Sequence, residues 1–446
     1  MNKRFQSTVL FAVGLFLSFG LAAPLSAQDS SANKASDAWR QFRGPTGMGV
    51  SERGLKQIEF DSPRWRTPLK GVGWSSPVTD GDRIWVTAAV TTEASAEEKQ
   101  KKLAGVQFSQ MKDVAGSVEV LVHSVDVETG DVVVSRSLGL IDDPNPIHPM
   151  NSYASPTAAI ASGKVVCHFG SYGTWCLDAN TGETLWQRKL VVDDSVGPGS
   201  SPTIVDGIVV LICDGIDQQF VAGLDLETGE TKWKTNRPAM RTSNPEYKKA
   251  YSTPLLIEID GKKQVVAVGA QWVCGYDPKS GEEIWRFDHG SGFSTTPMPI
   301  LVDGSLVFST GYMRPELVAI DPSGQGDITS TNLLWRSSRG IPAKPSPVSN
   351  GKSVYLISDG GVASSLSLKD GSILWQKRLG GSYSASPLMY GSQILVGNHE
   401  GSLHVFCDDE GYREVTKYDF GEQIMSSPIP FEDGLLIRTK SAIYRY

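Results

Sequence analysis

Two clusters of polar and aromatic residues and a set of cysteines could carry chemistry in this 446-residue chain. The first cluster is a polar corner of His148, Asn151, Asp214 and Asp217, with Gln218, Gln219 and Asp359 in neighbouring loops. Carboxylate and amide oxygens of this kind ligate calcium, and an imidazole beside them can move a proton. The second cluster stands just before proline steps: Trp74, Tyr153, Tyr251, Phe293, Lys344, Tyr383 and Met425, with Gly199 in the remaining place. Aromatic faces and one ammonium suit a flat ring, a sugar or an extended peptide, held by stacking and by hydrogen bonds at the rim. The cysteines are Cys167, Cys176, Cys213, Cys274 and Cys407, too few for a disulfide framework and odd in number. Cys167 and Cys176 flank Gly170 to Gly173 symmetrically. A hairpin there places them opposite each other, either as a cross-strand disulfide or as two buried thiols.

Both clusters hang on a repeat. A small residue and a proline open a β-like segment at Ser76-Pro77, Ser155-Pro156, Ser201-Pro202, Thr253-Pro254, Thr296-Pro297, Ser346-Pro347, Ser386-Pro387 and Ser427-Pro428. Successive steps lie about 50 residues apart, the period of a propeller blade or solenoid unit. Each unit reads as an opening strand, a turn such as Val205-Asp206-Gly207, a β-branched strand such as Ile208 to Ile212, and a third strand ending in Leu-Asp. A Thr-Gly-Glu turn and a Trp-bearing fourth strand complete it. Trp186, Trp233, Trp285, Trp335 and Trp375 mark that strand, and Val133 and Val415 take the place in two weaker units. The last unit has only three strands, so Arg64-Trp65-Arg66 is expected to supply its fourth, closing a ring and removing open sheet edges. The pattern predicts an all-β fold over residues 63–446: an eight-bladed β-propeller of four-stranded antiparallel blades, closed by an N-terminal strand.

Strand alternation sends the Asp-Gly and Thr-Gly-Glu turns to one face. The loops entering the Ser-Pro steps go to the other, so the aromatic set crowds one mouth of the central channel, as a ligand site or as a plug. The longest insertion, Thr91 to Ser117, falls on that same face, and its Glu97 to Lys102 run reads as a solvated helix or mobile loop.

Several chemistries lack their residues. His148, His168, His289, His399 and His404 form no H-E-x-x-H and no Cys/His cluster, which leaves zinc unsupported. Asp178 to Glu183 opens like a calcium loop, but the equivalent Asp225 to Glu230 marks it as the repeat's own turn. There is no G-x-S-x-G elbow, and Gly197-Pro198-Gly199 enters a strand, where no helix dipole can hold phosphate. With 42 Lys+Arg against 49 Asp+Glu, the net charge of −7 excludes the electrostatic footprint of a nucleic-acid binder.

The order Ser-Ser-Pro, Asp-Gly, Leu-Asp, Thr-Gly-Glu, Trp resembles the repeat of pyrroloquinoline-quinone-like (PQQ-like) propellers, over nearly all of residues 63–446. One branch of that family is the quinoprotein dehydrogenases. For them the resemblance implies a Ca²⁺ held by carboxylate and amide oxygens, an Asp base, and stacking partners that include a disulfide between adjacent cysteines. This chain has no Cys-Cys pair and few long insertions; on that branch Asp214, Asp217 and Asn151 would serve the metal and Lys344 the cofactor. The other branch is noncatalytic and is similar to the lipoprotein subunit of the outer-membrane β-barrel assembly machinery. The opening Trp39-Arg40-Gln41-Phe42-Arg43-Gly44-Pro45 resembles the start of a set of exported bacterial propellers.

Lys3 and Arg4, the apolar run Val9 to Ala23 and then Pro24-Leu25-Ser26-Ala27 read as a secretory signal cleaved after Ala27, followed by an extension over residues 28–62. The expectation is therefore an exported protein, periplasmic or secreted, that acts without catalysis and without a resident cofactor. It binds a protein or an extended ligand through Trp74, His148, Asn151, Tyr153, Asp214, Asp217, Tyr251, Phe293, Lys344 and Tyr383. The alternative is a periplasmic dehydrogenase using PQQ and calcium. A monomer is expected, which meets a membrane only through its partner.

Overall fold

The structure, a computed structural model, describes Met1, residues 38–53 and residues 58–446. Beyond Met1, the leader expected over residues 1–27 lies outside the described residues, as do residues 28–37 of the extension. Eight antiparallel sheets form a propeller, one blade for each Ser-Pro step. The third blade is representative, with strands Thr203–Val205, Ile208–Asp214, Gln219–Asp225 and Thr231–Asn236. Its second strand is buried on both sides by neighbouring blades, which is why it reads as an unbroken apolar run. In its fourth strand only Trp233 is buried.

Blades are joined at two radii. Near the axis, backbone N–H groups donate to hydroxyls of the next blade. Ser76 donates to Thr157, Thr157 to Ser201 and Ser201 to Thr253, at 2.9–3.1 Å. From the fifth blade the series continues with Met298 to Ser346, Ser346 to Ser386, Ser386 to Ser427 and Ser427 back to Ser76, at 2.9–3.0 Å. The junction between the fourth and fifth blades is made by the Ser252 hydroxyl, which donates to the Pro297 carbonyl at 2.9 Å. In six of the eight blades the small hydroxyl residue before the proline is thus the acceptor that links one blade to another; the second blade uses Thr157, just after its proline, and the fifth the Pro297 carbonyl.

Farther out, the tryptophans do the joining. The Trp186 indole donates to Leu226 O at 2.9 Å, Trp233 to Pro278 O at 3.0 Å and Trp335 to Leu368 O at 2.8 Å. Each ring lies against the glycine of the next blade's Thr-Gly-type turn. Gly229 has φ +70°, and a Cβ there would sit 2.6 Å from the Trp186 ring, so conformation and clearance both require glycine. Trp285 differs: it donates to Gln264 of its own blade, and its strand pairs in parallel with Gly326–Asp327 from an insertion in the fifth blade.

The ring closes as the sequence predicts. Trp65–Pro68 pairs antiparallel with Ala442–Arg445, Trp65 opposite Arg445. Trp65 repeats the outer joint, donating to Val127 O at 3.0 Å and lying over Gly130 of the first blade. Arg445, buried beside it, reaches Glu128 at 2.9 Å and Glu432 at 3.0 Å.

Three expectations need correction. A bulge precedes the Trp position in these fourth strands, so Val134 and Thr416 occupy the Trp place while Val133 and Val415 are the exposed bulge residues. Cys167 pairs with Trp175, and Cys176 pairs with Val166. The turn centres on Ser171, which puts the two thiols one residue out of register; they are free, buried and packed in separate clusters. In the Thr91 to Ser117 insertion the first of the two expected forms is found: the insertion prolongs a hairpin, Arg83–Glu93 with Ala115–Asp126, and carries a solvated helix, α1 (Ala96–Leu103). Ser95 and Glu98 form a capping box at its start. Finally, the propeller's packing begins before residue 63: Val50–Ser51 pairs in parallel with Leu388–Tyr390, and Arg40 O accepts from Ile160 N at 2.7 Å. Gly47 packs against Met298 and Leu255, so this segment crosses the channel axis as a floor.

Deleting residues 38–68 removes both floor and closing strand, whereas replacing 96–111 by a short turn only trims a loop. We expect the first change to lower the melting temperature by more than about 10 °C and the second by only a few degrees. Equal losses in calorimetry would contradict this account of closure.

Candidate functional site

The loops entering the inner strands and the turns between second and third strands meet at one mouth of the channel, as the strand order requires. They enclose a cavity of about 950 Å³. Its lower wall is polar, lined by Ser76, Thr157, Ser201, Thr253, Ser346, Ser386 and Ser427, the hydroxyl residues of the inner joints, with Phe42 reaching in from the floor segment.

Of the residues singled out from sequence, Trp74, His148, Asn151, Tyr251, Phe293 and Lys344 line this cavity, as does Met425. Asn151 is a loop staple: its amide donates to Val196 O at 2.9 Å and Pro198 O at 3.1 Å, while its oxygen accepts from Ser155 Oγ at 2.6 Å. His148 Nδ1 accepts from Met150 N at 3.2 Å, and burial lowers the imidazole's pKa. Tyr251 is buried, donates to Asp194 O at 2.7 Å and fills the place left by Gly199. Phe293 packs against Tyr247, with ring centres 4.6 Å apart, and against Tyr312 at 6.0 Å. Lys344 Nζ lies 3.4 Å from Asp359 Oδ1 and 3.9 Å from Met150 Sδ, paired and yet on the cavity wall.

Tyr153, Tyr383, Asp214 and Asp217 lie outside the cavity. Tyr153 is buried and donates to Asn145 O at 2.9 Å; Tyr383 is fully buried beside His404. Asp217 accepts from Asp193 N at 2.7 Å and shapes a turn. Asp214, at the end of its strand, points between blades, where its Oδ2 meets Arg237 Nε at 3.1 Å with both side chains inaccessible to solvent. Burial lifts the Asp214 carboxyl to about 6, while the Asp214 charge offsets burial at Arg237 and holds the guanidinium protonated. The polar corner expected from sequence therefore does not form. A calcium and quinone group does not fit these residues: Asp214 is committed to Arg237, Asn151 to its own loops and Asp217 to a turn. No cluster of three metal-ligating side chains exists among the described residues.

Two features of the mouth were not read from the sequence. The first is an apolar rim of Phe108, Met111, Met150, Tyr247, Tyr312 and Met313, all exposed and all on the cavity. Phe108 and Met313 hold left-handed backbones, φ +57° and +74°, rare for such side chains and held only where the surroundings dictate it. Insertions are the one sequence signal that pointed there. The second is a cluster around Ser195, itself at φ +59°. Ser195 Oγ donates to Glu246 at 3.0 Å and lies 3.3 Å from both Lys249 and Lys112 Nζ. Lys249 pairs with Glu246, and Ser195 is buried off the cavity wall. The cluster anchors three loops, and burial depresses the pKa of Lys112 on the wall.

The family model described as outer membrane protein assembly factor BamB matches residues 119–271 and 269–414. A curated relative under that name from Yersinia pestis is 25% identical over 340 residues, covering 72% of this chain and 78% of that protein. The solved structure of BamB from Moraxella catarrhalis aligns with a TM-score of 0.56 at 15% identity, over 88% of this chain and all of that one. A europium-containing methanol dehydrogenase aligns at 0.63 with 12% identity, over 93% and 92% of the two chains. At these identities the two structures are similar in fold, and carry nothing further.

Replacing Asp214 by Asn leaves Arg237 buried without its counter-charge, and is expected to cost about 3–5 kcal/mol in urea unfolding. Calcium should leave the unfolding curves of parent and variant unmoved. A neutral substitution, with calcium stabilising the parent alone, would restore the metal-site reading.

Proposed function

The chain belongs to the family of the outer membrane protein assembly factor BamB, and from this we infer that it is an exported, noncatalytic propeller that holds a protein partner at the channel mouth. Export rests on the leader-like residues 1–27, with cleavage after Ala27. The observation that carries the binding face is the rim: Tyr312 is 53% exposed and Met313 67% exposed at the mouth of the cavity. Soluble surfaces seldom gather such side chains unless something covers them, and methionines adapt to varied partner shapes. The opposite face carries Asp-anchored turns such as Asp178 with Asn180 and Thr181, polar and closed on themselves. An extended polypeptide segment fits the mouth best, its apolar side chains against the rim and its backbone against the hydroxyls below.

A photo-crosslinking residue at Tyr312 or Met313 should capture a discrete protein in cells of the source organism, while one at Thr181 or Glu227 on the turn face should not. Tyr312→Ala combined with Met313→Ala should weaken capture from a crosslinker at Met150 at least about fivefold, equivalent to roughly 1 kcal/mol, with an unchanged melting temperature. Tyr251→Ala and Tyr383→Ala, both buried, should lower the melting temperature instead. Capture only from the turn face would overturn the reading.

A further inference from the structure

The floor segment carries a buried cation with no counter-charge. Arg43 is 3% exposed, and its guanidinium donates to three carbonyls: Gly47 O at 3.2 Å, Met48 O at 2.6 Å and Pro347 O. Among the described residues no carboxylate pairs with it. Burial lowers its pKa to about 9, which still leaves the group charged at neutral pH. Its remaining nitrogen, Nη1, has no protein acceptor, and neither does the indole nitrogen of Trp39, a residue 4% exposed. Both residues line one small cavity of about 10 Å³, together with Ser76 and Ser427.

The chemistry of that lining is one-sided. Ser76 Oγ accepts from Ser427 N and Ser427 Oγ accepts from Ser386 N, so both hydroxyl hydrogens remain able to donate. The guanidinium and the indole can only donate, each hydroxyl keeps a hydrogen to donate, and the set carries one positive charge. A water molecule accepts from at most two of these donors and leaves the charge unmatched, whereas an anion accepts from every one of them and neutralises it. The size admits one water-sized species and excludes sulfate or phosphate. An unpaired buried charge is costly, and a bound counter-ion removes that cost.

We propose that Arg43, Trp39, Ser76 and Ser427 bind a single halide ion, chloride in practice, beneath the channel. The site lies where the seventh, eighth and first blades meet: Leu388, Ile429 and Ser76 all border it. The ion neutralises Arg43 and clamps the floor segment to the seam at which the ring closes. The site shares Ser76 and Ser427 with the main cavity and so adjoins its lower wall.

The test uses the full chain in sodium chloride, bromide or isethionate at one ionic strength. Chloride and bromide should raise the melting temperature by about 2–4 °C over isethionate, as a ligand of the native state does. Crystals grown in bromide should show an anomalous peak within hydrogen-bonding distance of Arg43 Nη1 and Trp39 Nε1. Arg43→Met should abolish the halide effect; Trp39→Phe, which keeps the ring and loses the donor, should weaken it several-fold and stands if the first variant fails to fold. Melting that ignores halide, a bromide-free site occupied by water, or a halide effect undiminished in Trp39→Phe would each overturn the proposal.

Discussion

The structure depends on a circle of hydrogen bonds around the channel axis, in which each blade's inner strand is tied to the next through a side-chain hydroxyl. Seven links run from a backbone N–H to Ser or Thr, and the eighth runs from Ser252 to a carbonyl. Inner strands packed this tightly leave their N–H groups without a partner inside the sheet, and an unsatisfied buried N–H costs about 1–3 kcal/mol. A serine or threonine beside the proline answers that need in almost every blade. The proline in turn gives up its own N–H at a point where no ladder could use it.

That constraint also sets the character of the channel. The hydroxyls that join blades are the lower wall of the cavity, so its depth is polar while its mouth, made by loops free to vary, carries aromatic and methionine side chains. The loops are held from below by Asn151 and by the Ser195 cluster, whose bonds are mostly buried. Rigid inner joints beneath apolar loops give a surface that can accept a partner without disturbing the ring, in keeping with the family to which the chain belongs.

Blade number and ring closure were legible because both follow from local chemistry repeated along the chain: Ser-Pro, Asp-Gly, Thr-Gly and Trp each report a turn or a joint. Trp65 was readable as a fourth-strand residue for the same reason, and it makes the same contact as Trp186. What failed was register. A single bulge residue moved the Trp place from Val133 to Val134, and a turn centred on Ser171 put Cys167 and Cys176 out of step. The site was half legible. Residues before the prolines do surround the mouth, but whether a side chain faces the cavity or a neighbouring blade depends on partners far away in sequence, such as Arg237 for Asp214. The floor segment was invisible because its partners, from Ile160 to Met389, are spread over most of the ring and leave no periodic trace.

If the inner circle holds the blades as one unit, it must open as one. Native-state hydrogen exchange at the amides of Ser76, Thr157, Ser201, Met298, Ser346, Ser386 and Ser427 measures this directly. The account predicts that all seven exchange only through global unfolding, with one common opening free energy that falls together with denaturant. Exchange in separate groups, blade by blade, with distinct free energies and denaturant slopes, would contradict it.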